Sequence, residues 1–183
     1  MANTQRTMTD LLTNLFQDGQ ADGEIDPQDF RDIIASMEQS HGGLYVSSSA
    51  ATTIAGAGTF VKAAGASTLF SATAKKVSMP ADNRLRYDGA PTKNFMVICN
   101  ASIQAASTSP IDIALRLAEN GSTLAETEVR AQAETAVKDY QLTTVGHFEL
   151  ATNDYIEPFV ANITDTDNVT VTYLTMMAIG LMI

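Results

Sequence analysis

The chain has 183 residues, of which 45% are hydrophobic, enough for one ordinary domain and a small appendage. Its formal net charge of -10 at pH 7 excludes the basic footprint that nucleic-acid binding requires, and it disfavours an anionic membrane surface. The single cysteine excludes an intrachain disulfide, and we recognise no signal peptide in the polar residues 1–9.

Two short amphipathic helices are predicted within residues 1–43. Apolar residues recur at helical spacing from Met8 to Phe16, which indicates the first helix. Asp26 is a good N-cap and Pro27 suits the first position of a second helix, which the glycine pair at 42–43 should end. The apolar face of this second helix consists of four residues: Phe30, Ile33, Ile34 and Met37. Such short helices are marginal alone, so each must bury its apolar face against a neighbour or a partner.

Residues 44–183 carry a β pattern, because Thr, Val, Ile and Phe are frequent and Gly, Asn and Pro separate short runs. Large apolar residues alternate with smaller or polar ones from Ile111 to Ala118, and Asn120-Gly121 is a strong hairpin signal. Many short strands at this spacing predict a sandwich or a barrel. The predicted strands are Leu44–Val46, Gly58–Ala63, Lys75–Met79, Arg84–Tyr87, Phe95–Ile103, Ile111–Ala118, Ala125–Ala131, Gln141–Leu150, Tyr155–Asn162 and Val169–Ile183.

The last predicted strand is apolar on both of its faces. Its odd positions, from Val169 to Ile183, are mostly apolar. Its even positions are polar at Thr170 and Thr172 and apolar from Leu174 onward. One face must pack against the core, and the other has no obvious partner within the chain, so it predicts a subunit interface. A central strand that is buried on both sides within a monomer is the alternative. The even residues assigned to the interface are Leu174, Met176, Ala178 and Met182.

One segment resembles a metal-binding loop. Counting Asp18 as position 1 of an EF-hand loop places Asp22 at position 5, Gly23 at position 6 and Asp29 at position 12. Gln20 at position 3 and the short side chain of Asp29 depart from the calcium-binding pattern. We therefore expect no metal and no cofactor, with the acids near Pro27 acting as helix caps.

No catalytic residues are assigned. A dyad of Cys99 and His147 is formally conceivable, but the sequence contains nothing to orient such a pair. The carboxylates of the β region are scattered near turns, which is typical of solvated acids rather than of a glycosidase pair. We expect a protein that is not an enzyme.

Three stretches of the β region form a recognisable set: residues 79–89, residues 111–115 leading to Glu119-Asn120-Gly121, and residues 150–157. Through these stretches the β region resembles the trimeric jelly rolls of the tumour necrosis factor and complement globular-head type, in the version found in phage structural proteins. Residues 11–16 and 23–32 resemble a helical module that opens many phage head, baseplate and fibre proteins. These resemblances imply a mainly β virion protein, with a jelly-roll β-sandwich over residues 44–183 and a short N-terminal α-helical hairpin over residues 1–43.

The expected function is that of a bacteriophage capsid decoration or cement protein that is made in the host cytoplasm and located in the virion. Its partners would be two further copies of itself and the major capsid protein or another virion protein, bound through the helical hairpin. One alternative is a tail-fibre or baseplate protein that binds a host receptor, with a host glycan as its ligand. A virion enzyme that degrades polysaccharides is a second alternative.

Overall fold

The computed structural model describes residues 27–107, 109–134 and 138–181, and within these ranges it contains one α-helix, α1 (Pro27–Met37). Pro27 is the first described helical residue and Asp29 lies in the first turn, where a carboxylate interacts favourably with the helix dipole. The first predicted helix lies outside the described residues, and so does Asp26. The helical hairpin therefore stays a prediction, and α1 is shorter than expected.

The rest of the described chain is mainly β, in two antiparallel sheets. Sheet I has the strand order β11-β7-β13-β1-β4, with β2 also pairing with β13. Sheet II has the order β10-β8-β12-β6-β5, with β3 pairing with β12 and β9 with β8. The strands are β1 (His41–Ser48), β2 (Ala51–Thr52), β3 (Val61–Lys62), β4 (Ala66–Leu69), β5 (Val77–Ser78), β6 (Leu85–Tyr87), β7 (Lys93–Ala105), β8 (Ile111–Glu119), β9 (Ser122–Thr123), β10 (Val129–Ala133), β11 (Tyr140–Leu150), β12 (Tyr155–Asn162) and β13 (Val169–Gly180).

The pairing of the main strands is that of a jelly roll. Among the eight main strands, β1 pairs with β13, β6 with β12, β7 with β11 and β8 with β10. In chain order, the first strand therefore pairs with the last, and the pairing continues inward. Such pairing arises when one long antiparallel ribbon wraps around a core, which places successive pairs alternately in the two sheets. The predicted sandwich is confirmed, and its jelly-roll topology follows from the sheet order.

The glycine pair at 42–43 does not stop a helix, because both residues lie in β1 opposite Ala178 and Met177. A Cβ atom on Gly42 would lie 2.7 Å from the Cγ1 of Val77, and one on Gly43 would lie 2.9 Å from the carbonyl oxygen of Met176. These glycines therefore permit a close approach of neighbouring chain segments. The first strand begins at His41, three residues before the predicted start at Leu44.

A β-bulge changes the orientation of β13. The register against β7 shifts between Val171 and Tyr173, so Thr172 is the extra residue of the bulge. A shift of one residue exchanges the two faces of a strand. Val169 and Val171 therefore point into the core before the bulge, and the even residues point inward after it.

The bulge overturns the interface assignment made from the terminal strand. Leu174, Met176 and Ala178 are buried in the core between the two sheets, and none of them is more than 3% exposed. They cannot contact another subunit in this fold. The even face was taken as unpartnered because strict alternation was assumed through the whole strand. Met182 lies outside the described residues.

The two ends of the sandwich differ. At the end that carries α1, which we call the helix end, Gly180 N donates to Ser40 O at 2.7 Å, and Leu150 pairs with Lys93. The hairpin at Asn120 lies at this end too, since Asn120 N donates to Tyr155 O at 2.9 Å. At the opposite end, the far end, Ala106 N donates to the carbonyl oxygen of Asn168. The connection 163–168 therefore lies at the far end.

Candidate functional site

Large apolar side chains that are exposed to solvent are confined to two surfaces of the described chain. One is α1, where Phe30, Ile34 and Met37 are 58%, 69% and 58% exposed. The other is the face of sheet I that points away from the core, which we call the outer face of sheet I. Its most exposed apolar side chains are Phe70, Val145, Tyr173 and Met177.

Cross-strand pairing arranges the outer face of sheet I in rows. One row runs through Val145, Ile98 and Met177 to Gly43. The next row towards the helix end runs through His147, Met96, Ile179 and His41. Residues directly opposite each other on adjacent strands share a face and contact one another. The apolar side chains therefore form a continuous surface.

Two further rows of the outer face are polar but uncharged. Thr143, Asn100, Thr175 and Tyr45 form one of them, and the last contains Tyr173. Across the four rows, the described residues include no Asp, Glu, Lys or Arg. A patch without these side chains is characteristic of the buried centre of a protein interface, where charged residues are depleted. A fifth row of the outer face, nearer the helix end, contains Asn94 and the charged Glu149.

The outer face of sheet II has the opposite character. Glu157 is 3% exposed at its side chain and accepts contacts at one carboxylate oxygen from Lys62 Nζ at 2.7 Å and Arg84 Nε at 2.9 Å. Glu128 binds both Arg116 and Arg130. Burial alone would raise the pKa of Glu128, but the hydrogen bonds from these two arginines outweigh it and lower the pKa. The ion pairs of sheet II favour contact with water, whereas the four uncharged rows of sheet I favour contact with protein.

Helix α1 presents its apolar side chains outward and a carboxylate inward. Asp32 is only 2% exposed, and its Oδ1 accepts a hydrogen bond from Gln28 Nε2 at 2.8 Å. Phe30, Ile34 and Met37 recur at the spacing of one helical face, which we call the α1 apolar stripe. This face is therefore not used to pack α1 on the described part of its own chain.

The connection from α1 to sheet I is fixed by hydrogen bonds at the helix end. Gln39 Nε2 donates to Gly180 O at 3.1 Å, and Lys93 Nζ donates to Glu38 O at 3.4 Å. Burial lowers the pKa of Lys93, and the nearby carboxylate of Glu38 partly opposes that shift. These contacts tie the segment before β1 to the last residue of β13 and the first residue of β7, and they place the α1 apolar stripe at one end of the sandwich.

The structure separates the predicted interface residues into two groups. On α1, Phe30, Ile34 and Met37 are exposed as expected, and Ile33 is half-buried. On the terminal strand, Leu174, Met176 and Ala178 are buried in the core. Sequence reasoning missed Val145, although a signal for it exists. The outward positions of β11 are otherwise polar or charged, so an apolar side chain among them is unexpected on a solvated face.

Cys99 and His147 do not form a dyad, because they lie on opposite faces of sheet I. Cys99 is fully buried in the core, and His147 lies on the outer face. Burial raises the pKa of the Cys99 thiol from 9.0 to about 12, so the thiol is protonated at neutral pH. A protonated, buried thiol is neither a nucleophile nor a metal ligand.

Carboxylates approach one another at the helix end. Burial raises the pKa of Glu119, and the negative charges of Asp154 and Glu149 raise it further. Both oxygens of Asp154 serve the local turn, accepting hydrogen bonds from Asn120 Nδ2 and from Ala151 N, each at 2.8 Å. This pattern is that of an acid that stabilises a turn rather than of a catalytic pair.

The part of the chain that the structure describes contains neither a cluster of metal ligands nor a membrane-spanning helix. There, His, Cys, Asp and Glu nowhere gather in threes in a way that could hold a metal. No helix in that part is long and apolar enough to span a bilayer. The predicted EF-hand-like loop lies outside it except for its last residues, so the expectation that it binds no metal stays a prediction.

Several solved structures resemble this chain in fold. Crystal structures of murine APRIL at pH 8.5 and pH 5.0 each give a TM-score of 0.47 at 11% identity, covering 77% of this chain and 99% of that chain. Eiger TNF from S. frugiperda gives 0.45 at 8% identity, covering 79% and 93%. No family model and no curated protein matches the sequence. The jelly-roll topology described above rests on the strand pairing of this chain itself.

Proposed function

We propose that the chain is a non-catalytic bacteriophage virion protein, a capsid decoration protein in which three copies associate through the outer face of sheet I and bind the shell through α1. One observation carries this proposal. The large exposed apolar side chains of the described residues fall on only two surfaces, and these surfaces lie on different elements. Two separate apolar surfaces suit two separate partners.

The outer face of sheet I is the surface for self-association. Four of its cross-strand rows are uncharged, whereas the opposite side of the sandwich carries ion pairs that favour water. Covering this face with further copies removes Met177 and Val145 from solvent. The resemblance of the sequence to trimeric jelly rolls supports three copies rather than two, and a trimer matches the three-fold positions of a capsid by symmetry.

The α1 apolar stripe is the surface for the shell. Its exposed side chains lie outside the sheets, so they stay available when the outer face of sheet I is covered. Fully burying each large apolar side chain is worth about 1.5–3 kcal/mol, and three copies present three stripes at one end of the assembly. The assignment to a phage head rests on the resemblance of residues 11–16 and 23–32 to the helical modules of phage proteins.

Analytical ultracentrifugation tests the self-association. The wild-type chain should sediment with three times the protomer mass of 19.5 kDa at micromolar concentration. Val145→Glu with Met177→Glu should return a folded protomer, because each substitution places a charge in the contact. Gln132→Glu introduces the same charge on the exposed side of sheet II and should leave the trimer unchanged. A wild-type protomer, or a trimer that tolerates both substitutions, would contradict the proposal.

Binding to virions that lack the native protein tests the shell contact. Phe30→Asp with Ile34→Asp should lose binding while the trimer persists, and Arg31→Ala on the same helix should bind normally. A truncation should begin at Gln39, because one that begins at Leu44 removes the first three of the eight residues of β1 together with the helix. Full occupancy by the truncated trimer would place the anchor in the jelly roll. A double variant that dissociates would instead make α1 part of the trimer contact.

A further inference from the structure

The two histidines of the chain lie in the same cross-strand row of the outer face of sheet I. His147 on β11 is opposite Met96 on β7, which is opposite Ile179 on β13, which is in turn opposite His41 on β1. The sequence contains no other histidine. The row crosses β11, β7, β13 and β1, so it forms only when these four strands pair in the folded chain.

The groups that face His147 are mostly uncharged. On β7 these are Met96 and, one row further on, Asn94. On its own strand, Glu149 lies two residues on, so its side chain projects from the same face. Glu149 is thus the carboxylate that could offset a positive charge on His147.

The surroundings of His41 contain an ion pair. His41 pairs with Lys75 in an isolated β-bridge, and the Lys75 ammonium lies 3.2 Å from a carboxylate oxygen of Glu38. The Nδ1 of His41 is 2.9 Å from Gln39 O, and β13 contributes Ile179. When Nδ1 carries a proton it donates to that carbonyl, and a second proton on Nε2 makes the ring a cation beside Lys75.

We propose that these two histidines make association through the outer face of sheet I sensitive to pH, so that the trimer weakens on acidification. The inference rests on the proposed function, because it needs that face to be covered by other copies. Histidine changes charge between pH 5 and 8. A neutral imidazole enters an apolar contact at modest cost, whereas an imidazolium loses hydration there without gaining a full counter-charge.

The sign of the effect follows from linkage. If the free protomer accepts protons on His41 and His147 more readily than the assembled form, acid favours the free protomer. The Lys75–Glu38 ion pair near His41 supplies no net counter-charge, and Glu149 offsets part of the charge near His147. A trimer carries three copies of the pair, so small effects at each ring add up.

Sedimentation equilibrium of the full chain at constant ionic strength tests this inference. Between about pH 8 and about pH 5.5, the dissociation constant should rise about tenfold or more. His41→Gln with His147→Gln should associate equally at both pH values. Glu149→Gln should enlarge the response to acid, because it removes the offsetting carboxylate.

The outcomes separate this inference from the proposed function. A wild-type chain that is a protomer even at about pH 8 contradicts the trimer itself. A trimer of equal strength at both pH values overturns only the role of the histidines, and so does a pH response that survives the double histidine variant. Circular dichroism of the protomer must keep its β signal at the lower pH, since equal unfolding of wild type and variant would also overturn the inference.

Discussion

The rings of Tyr45 and Phe70 stack on the outer face of sheet I, with their centroids 5.4 Å apart and their planes inclined by 25°. Phe70 follows β4 directly and its N–H donates to Gly43 O at 2.8 Å, so the turn after β4 holds the ring over β1. The pair therefore extends the apolar surface towards the edge of the sheet.

Phe70→Ala should weaken self-association while costing the protomer little. An aromatic pair contributes about 0.5–1.5 kcal/mol beyond its buried area, and Phe70 is 36% exposed in the isolated chain. The dissociation constant from sedimentation equilibrium checks the first effect, and urea unfolding of the Val145→Glu, Met177→Glu protomer with and without Phe70→Ala checks the second. A large loss of protomer stability with unchanged association would contradict the prediction.

The bulge at Thr172 leads to a prediction about insertions and deletions. Deleting Thr172 should be tolerated, because Val171 and Tyr173 already pair with adjacent residues of β7 and keep their inward and outward directions. Inserting one residue after Leu174 should unfold the domain, because it turns Met176 and Ala178 away from the core. Thermal melts followed by circular dichroism distinguish the two variants. Equal melting temperatures would contradict this account of the strand.

The buried carboxylate of Glu157 should matter more than its single charge suggests. Glu157→Gln leaves Lys62 and Arg84 without their counter-charge, although both cations stay about 30% exposed and can recruit water. Hydrogen bonds to charged groups are worth about 1.5–3 kcal/mol, and we expect a loss within that range in the free energy of unfolding. Glu126→Gln, at an exposed position, should change it by about 0.5 kcal/mol or less. Equal losses for the two variants would contradict the prediction.

The Cys99 thiol should make the fold sensitive to alkali. Its pKa is about 12 in the native state against an ordinary value of 9.0, so the unfolded chain releases this proton at lower pH than the folded chain does. The native state therefore loses stability as the pH rises above 9.0 towards 12. Urea unfolding across that range should show a steeper decline for wild type than for Cys99→Ala. Identical slopes would show that the thiol is not coupled to unfolding.

The position of α1 leads to a prediction about orientation on the shell. Binding through the α1 apolar stripe should bring the helix end close to the capsid and leave the far end in solvent. Thr166→Cys at the far end and Ser122→Cys near the Asn120 hairpin are both at exposed positions, while the native Cys99 is buried. Biotin attached to the first should capture streptavidin on virions, and biotin on the second should be protected. The reverse pattern would place the far end against the shell.

Local features of the fold could be predicted from the sequence. The hairpin at Asn120-Gly121 is confirmed, with φ values of 50° and 81° that suit a tight turn. Alternation along β8 predicted that strand and its buried face, and β11 was predicted as a strand within the β pattern. The exposed apolar residues of α1 were recognisable because their helical spacing is independent of the rest of the chain.

Tertiary structure alone decided which face of β13 became the outer one. The register shift at Thr172 depends on pairing with β7, and such a shift leaves no clear trace in a strand that is apolar on both faces. The glycines at 42–43 likewise look like a helix stop until Val77 and Met176 are brought against them. The sequence by itself determined the helix and most strands, because their periodicities are local. The uncharged rows of the outer face and its pair of histidines exist only once four strands that are distant in the chain align.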